Sequence, residues 1–454
     1  MTALKDVPRD LLARLTGPGP RYTSYPTANL FDDSVGPAEH RAALARHGAS
    51  GDPLSLYVHL PFCKSLCFYC ACNVIITQRR DAVPEYLGLL EREADLVVDA
   101  LGRGRRVTQL HLGGGTPTYL TVDELRRLHA LLAARFDLST AEELSIEIDP
   151  RVTSPEQLEA LAALGWNRAS FGVQDFDPDV QAAIHRVQGV GQTSALIAAA
   201  RAAGFDGVNV DLIYGLPLQR VETFRRTLDA VLELRPDRTA LYSYAHVPWM
   251  RPAQASFERR GRKLPAADEK LALFEEAVRA FTAAGYVQLG MDHFALPTDE
   301  LAQALARGTL HRNFQGYTVR RADALVGLGA SSISDVGGLY AQSEKDLAPY
   351  RAAVLSGRLP TARGLTRTPE DERRRAVISA LMTRGALPAA VLDGFPEERA
   401  RLGDLERDGL VSFAPDGALV VTPLGRLFVR NIAMVFDAYL KTRPAERPLF
   451  SQTV

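Results

Sequence analysis

Between residues 54 and 290 the chain alternates short apolar runs with longer helical patterns. The short runs are LSLYV (54–58), TQLHL (108–112), LSIEI (144–148), RASFGV (168–173), VNVDLIY (208–214) and TALYSY (239–244). Each is rich in β-branched, aromatic or leucine residues and is bounded by Gly, Pro or Asp, which predicts strands. The intervening helices have readable ends. Thr121 with Glu124 makes a capping box, and Ser154, Pro155 and Gln157 open another helix. Gly204 and Gly285 stop helices near 193–203 and 267–284. Six strand–helix units in series imply parallel strands joined by right-handed crossovers. Either an open doubly wound sheet or a barrel would satisfy this pattern. In both, polar residues at the C-terminal ends of the strands are where chemistry gathers.

The pattern changes after residue 365. TPEDERRRAVISALMTRG (368–385) reads as a capped amphipathic helix with Pro369 at its start, and a hairpin turning at Asp416-Gly417 follows, then another helix. This is a winged-helix-like arrangement. Its wing, VSFAPDGALVV, carries no Lys or Arg, so a substrate-covering or packing role is expected in place of DNA binding.

Charge and composition narrow the class. A formal net charge of −1 provides no overall basic field for nucleic acid or anionic membrane. No apolar run approaches the roughly 18 residues of a spanning helix, and MTALKDVPRDLLARL lacks a signal-peptide core. A cytoplasmic protein is expected, in a compartment where clustered thiols bind metal more often than they form disulfides.

All four cysteines fall in YVHLPFCKSLCFYCACN (57–73), as Cys63, Cys67, Cys70 and Cys72. A closed zinc site takes four ligands, usually as two separated pairs, and no second pair exists here. Three cysteines at C-x3-C-x2-C on one loop can each hold a different iron of a cubane cluster. The fourth iron is then either open or filled by Cys72. The closeness of Cys72 to Cys70 favours three ligands, Cys63, Cys67 and Cys70, and an open iron. Cys72 is then a nearby non-ligand thiol. His59 is the one histidine close by, and Cys72 and His59 are the catalytic candidates.

This motif, with Tyr69 before the third cysteine, resembles the signature of the radical S-adenosylmethionine enzymes. The longer string is similar to that of the oxygen-independent coproporphyrinogen III oxidases of haem biosynthesis. RYTSYPTA (21–28), LHLGGGTPTYL (110–120), EIDPR (147–151), FGVQDF (171–176), DLIYGLP (211–217), MDHFA (291–295) and HRNFQGYT (311–318) extend the likeness over most of the chain. The resemblance implies an α/β fold: a partial (β/α)6 TIM-like barrel with an α-helical/winged-helix-like C-terminal domain. The expected parts are an N-terminal segment covering the active site (1–50), a catalytic barrel (51–355) and the C-terminal domain (365–454).

It also implies a 4Fe-4S cluster and S-adenosyl-L-methionine, with two molecules of the latter bound. Tyr57, Gly114, Glu147 and Ile333 match positions contacting the molecule on the cluster. Tyr69, Gly115, Thr116, Gln174, Arg186, Asp211 and Ala245 match positions contacting the second. Several of these end predicted strands. Glu147 and Asp149 alternate onto one face. The run Gly113-Gly114-Gly115 allows close approach of a ligand, or is simply a tight connection. The implied reaction uses a 5′-deoxyadenosyl radical to convert two propionates of coproporphyrinogen III to vinyl groups, with flavodoxin or ferredoxin as electron donor and the chain a monomer. Arg21 and Arg312 are candidates for gripping propionates. The competing readings are a haem chaperone on the same scaffold and, more remotely, a zinc-stapled DNA-binding regulator.

Overall fold

The structure is a computed structural model and describes residues 8–320, 322, 324–440, 450, 452 and 453. Parts of the expected N-terminal segment (1–7) and of the C-terminal domain (441–449, 451 and 454) lie outside the described residues. The six expected strands all form, as β1 (Leu54–Leu60), β2 (Arg105–Gly114), β3 (Glu143–Ile148), β4 (Arg168–Gln174), β5 (Gly207–Tyr214) and β6 (Arg238–Ser243). They are mutually parallel, and each pairs with its neighbour in chain order. A doubly wound sheet would reverse its strand order part-way. The unreversed order decides for a barrel wound in one direction.

The main sheet path is extended by strands that were not foreseen: β7 (Val287–Leu289), β8 (His293–Ala295), β9 (Ala324–Leu328), β10 (Ile333–Val336), β11 (Leu339–Ser343) and β12 (Thr361–Thr366). Strand β9 adds to the free edge of β1 in parallel, with Tyr57 opposite Gly327. Strands β10 to β12 continue antiparallel beyond it, and the hairpin β7–β8 adds antiparallel to β6. The sheet path runs from β7 to β12 without those two ends pairing, so the barrel is incomplete.

Strand alternation decides what fills it. Leu56, Val58, Leu112, Ile146, Phe171, Val210 and Leu212 are buried in one cluster with residues of the crossover helices Ala82–Leu101, Val122–Ala133 and Val221–Leu234. Full burial of each such side chain contributes roughly 1.5–3 kcal/mol. The alternate positions Gln109, His111, Glu143, Ser145, Glu147, Arg168, Ser170, Asn209 and Asp211 line a cavity inside the barrel. Complete barrels are filled with branched apolar side chains; this one has a polar interior.

The tail forms a helix Pro369–Arg384, capped by Thr368 and ended at Gly385, which takes φ +65°. The expected hairpin pairs Val411–Phe413 with Leu419–Val421, turning through Gly417. Instead of one closing helix there are two short ones, Pro423–Leu427 and Val429–Met434. A helix at Pro396–Arg407 and a short strand at Ala386–Leu387 complete the unit. The N-terminal segment is tied to it: Tyr22 donates to Asp437 at 2.9 Å and Asn431 donates to the carbonyl of Leu15 at 2.9 Å.

Candidate active site

The chain leaves β1 at Leu60 and enters the cysteine loop, which lies over the C-terminal ends of the barrel strands. Side chains from distant segments hold its main chain. Gln254 donates to the carbonyl of Tyr69 at 3.1 Å, Arg251 to that of Ala71, and His59 to that of Asn73 at 2.8 Å. His185 holds the carbonyl of Leu66 at 2.8 Å. Gln254 also reaches the carbonyl of Ala245 at 3.2 Å, which joins the loop to the end of β6. None of Arg251, Gln254 or His185 carried a signal in the sequence, because each sits in a connection remote from the cysteines.

His59 has a determinate tautomer. A carbonyl can only accept, so Nε2 carries the proton given to Asn73, and Nδ1 accepts from the Tyr57 hydroxyl at 3.0 Å. Burial lowers its pKa and keeps the ring neutral. Both nitrogens are therefore spent inside the protein.

One cavity of about 270 Å³ gathers the expected residues. Cys63, Cys67, Cys70 and Cys72 line it together with Tyr69, Gly114, Gly115, Thr116, Glu147, Gln174, Arg186 and Asp211. Tyr57, His59, Ala245 and Ile333 are not among its lining residues. Tyr57 and His59 are side by side on β1, and Ile333 starts β10, where its main chain crowds Gly327 opposite Tyr57.

Charges are grouped around Cys67. Arg151 Nη2 is 3.4 Å and Arg186 Nη1 is 3.6 Å from its sulfur. Both guanidinium groups also bind Asp149, at 2.7 and 3.2 Å. Burial raises the Asp149 pKa, but Arg186 and Arg151 outweigh it and hold the carboxyl below its usual range. Arg186 also donates to the carbonyl of Gly172 at 2.6 Å, and a Cβ at Gly172 would lie 2.8 Å from its Nη2. Arg151 closes the EIDPR stretch; the sequence reading singled out the carboxylates there but not this cation.

Two carboxylates face the cavity with opposite tendencies. Glu147 accepts from the Gly114 N–H at 3.0 Å and faces His111 at 3.4 Å. Burial raises its pKa, but the hydrogen bond and charge of His111 and the Gly114 N–H prevail and leave it lowered. Asp211 accepts from Ser170 at 2.7 Å and Asn209 at 2.9 Å, yet burial and the nearby Glu147 raise its pKa. Gln174 ends β4 at φ +68°, just past a register shift against β5. A bulge of this kind re-aims a strand-end side chain.

On the side where a Cβ would stand, each glycine of the run is packed against the protein. A Cβ on Gly113 would meet the Glu147 carboxylate at 2.8 Å, on Gly114 the His59 ring at 2.5 Å, and on Gly115 the main chain of Pro61 at 2.7 Å. The protein itself occupies the space. Gly114 additionally needs φ +113°.

The thiols fit an iron–sulfur cluster. All four are free, and those of the C-x3-C-x2-C spacing open into one cavity beside cations. The Cys72 N–H lies 3.4 Å from the Cys70 sulfur. Cys70 is pulled down to about 7, first by the Cys72 thiol and against burial, while burial pushes Cys63 up to about 12. Among the described residues no three His, Cys, Asp or Glu side chains converge on a single-ion position. Ligands to separate corners of a cubane need not converge.

Comparison with known proteins gives the same assignment. The radical SAM superfamily matches residues 57–231. An oxygen-independent coproporphyrinogen III oxidase of Synechocystis is 42% identical over 96% of this chain and 95% of its own. The Escherichia coli protein of that name is 43% identical, with 98% of each chain covered. The chain belongs to the oxygen-independent coproporphyrinogen III oxidase family. The solved structure of the Escherichia coli coproporphyrinogen III oxidase, described as a radical SAM enzyme, matches with a TM-score of 0.86 at 42% identity, over 92% of this chain and 97% of that one. Membership of the radical SAM superfamily implies a 4Fe-4S cluster and S-adenosylmethionine as the resident groups. No helix among the described residues is long and apolar enough to cross a membrane.

Arg21 and Arg312, the propionate candidates, take different places. Arg21 pairs with Asp292. Arg312 donates to the carbonyls of Arg21 and Tyr22 and lies 5.3 Å over the Tyr317 ring, where it holds the N-terminal segment.

Proposed function

We propose that the chain oxidatively decarboxylates two propionate side chains of coproporphyrinogen III to vinyl groups, giving protoporphyrinogen IX. The reading rests above all on the cysteine loop, which brings Cys63, Cys67 and Cys70 to one cavity at the strand ends with Cys67 between two guanidinium groups. When bound, the cluster and S-adenosylmethionine supply one-electron chemistry able to remove a hydrogen atom from an unactivated carbon. At each propionate the β-carbon gives up that hydrogen atom, the bond to the carboxylate carbon breaks, CO2 leaves and one electron passes to an acceptor.

The protein's part is placement and exclusion of water. Cys63, Cys67 and Cys70 would hold the cluster, with S-adenosylmethionine beside it in the same cavity. Glu147, an ionised acceptor, suits the ammonium or ribose of that molecule, with Gly114 alongside. Tyr57 and Ile333 support this wall from behind. A second S-adenosylmethionine lies against Tyr69, Gly115, Thr116, Gln174, Arg186, Asp211 and the main chain at Ala245. Cys72 stays outside the ligand set and donates its N–H to the Cys70 sulfur. His59 is a positioning residue that joins the end of the cysteine loop to β1. The described parts of the 1–50 and 365–454 segments close over the barrel (51–355). The protein works as a cytoplasmic monomer reduced by a flavodoxin or ferredoxin.

Anaerobic reconstitution, followed by incubation with coproporphyrinogen III, a reductant and S-adenosylmethionine, tests this. Vinyl products with methionine are expected, at about four irons per chain. Stoichiometric haem binding without turnover, or tight binding of one zinc, would overturn it.

A further inference from the structure

Next to the Tyr242 ring, which lines the catalytic cavity, lies a further small space of about 40 Å³ that the roles above leave unused. Arg21, Tyr214, Ser243, Phe274, Asp292 and Arg430 wall it. Two cations, Arg21 and Arg430, wall it, and Lys270, next in sequence to the wall residue Leu271, is close enough to feel the charge of both. The Arg21 guanidinium lies 5.6 Å over the Tyr242 ring and pairs with Asp292. Lys270 Nζ lies 5.9 Å from the Tyr214 ring and donates to the carbonyl of Tyr244 at 3.3 Å. Arg430 is 5% exposed, and its N–H groups go to the main-chain carbonyls of Gly19, Pro20, Gln452 and Thr453.

Among the described residues neither Lys270 nor Arg430 has a carboxylate within ion-pair distance. Asp292 is already shared by Arg21 and His293, the latter at 2.7 Å. Buried cations in excess of anions are costly unless an anion completes the group. The strain is visible in their acidity: burial and mutual repulsion push Lys270 down to about 8 and Arg430 down to about 10. Beside the cations and Asp292 the walls are largely apolar, with Tyr214, Leu271, Phe274, Met291, Leu427 and Val429; they suit a carboxylate on an apolar stem, and a space of this size takes one such group.

We propose that Arg21, Lys270 and Arg430 form a carboxylate subsite that receives a propionate of the tetrapyrrole not undergoing decarboxylation, and so anchors the macrocycle beside the catalytic cavity. The choice of ligand rests on the coproporphyrinogen reading; the anion site itself rests on the uncompensated cations. Lys270 is the residue to change, because Arg430 also fastens both chain ends.

The experiment uses the full chain with its cluster reconstituted. Lys270→Gln is compared with wild type for binding of coproporphyrin III by fluorescence quenching, for S-adenosylmethionine binding, and for Tm with and without sodium propionate. In Lys270→Gln we expect about tenfold weaker porphyrin binding, unchanged S-adenosylmethionine binding, and an unliganded Tm equal to or above wild type. Propionate should raise the Tm of wild type only, and Lys270→Arg should restore binding. A merely structural lysine would instead lower the unliganded Tm. Porphyrin binding within twofold of wild type would overturn the subsite. If wild type binds no coproporphyrin yet propionate still stabilises it and not Lys270→Gln, the anion site stands and the substrate reading falls. If neither ligand distinguishes the two proteins, the subsite is wrong.

Discussion

Replacing Gly114 by Ala distinguishes a glycine that makes room for a ligand from one that makes room for the protein. The new Cβ would sit 2.5 Å from the His59 ring, which cannot swing away without breaking its bonds to Tyr57 and Asn73. Overpacking of this kind costs about 1–3 kcal/mol. The φ of +113° adds a backbone penalty of roughly 1–2 kcal/mol for any residue with a Cβ. Together the loss is about 2–5 kcal/mol, before any weakening of the Gly114 hydrogen bond to Glu147. For a chain of this length that should lower Tm by about 2–5 °C. The assay is thermal unfolding of the cluster-free protein under reducing, anaerobic conditions, without S-adenosylmethionine, so that no ligand contributes. A cradle for ligand alone would leave this Tm unchanged and weaken only cofactor binding. A Gly114→Ala variant melting within about 1 °C of wild type would therefore refute the packing argument.

Cys72→Ser should keep about four irons per chain while turnover falls, whereas Ala at Cys63, Cys67 or Cys70 should lose the cluster; iron analysis and absorption spectra separate the two classes. Arg151→Leu removes a cation 3.4 Å from the Cys67 sulfur, so the reduced, more negative cluster loses stabilisation. A loss of about 1–2 kcal/mol shifts the midpoint potential about 40–90 mV more negative in a redox titration, and an unchanged or more positive value contradicts this account. His40 is buried against Thr361 at 2.8 Å, and burial holds its pKa at about 4. A folded pKa below the unfolded value of about 6.5 means that stability is fully present above pH 6.5 and is lost as pH falls towards 4, by about 3 kcal/mol. His40→Gln should flatten that part of the Tm-against-pH curve; an equally steep curve would show that His40 is not its source.

Local signals carried a large part of this protein. The six parallel strands were readable because each apolar run is punctuated by Gly, Pro or Asp. The helix ends at Thr121, Ser154 and Gly204 were readable from capping chemistry that acts within four residues. The metal chemistry was readable because all four cysteines fall within ten positions, so one loop must carry them. Glu147, Gln174 and Asp211 were legible as rim residues because strand ends point to one edge of the sheet.

What the sequence could not settle involves partners far apart in the chain. Alternation in TQLHL shows that one face is polar; only the curvature of the sheet turns Gln109 and His111 to the barrel interior and not to solvent. Strand β9 is a short buried run, ALVGL, whose pairing with β1 spans about 270 residues and leaves no local mark. The glycine run announced close approach without saying to what, and the tertiary fold supplied the His59 ring, the Glu147 carboxylate and the Pro61 main chain. Arg151, Arg251 and Gln254 reach the cysteine loop only because crossovers bring their connections to one rim. Local sequence determines dihedral preference, capping and which face is apolar, since these depend on neighbours along the chain. Which polar groups meet, and so the charge around each thiol, depends on long-range packing that only the folded chain completes.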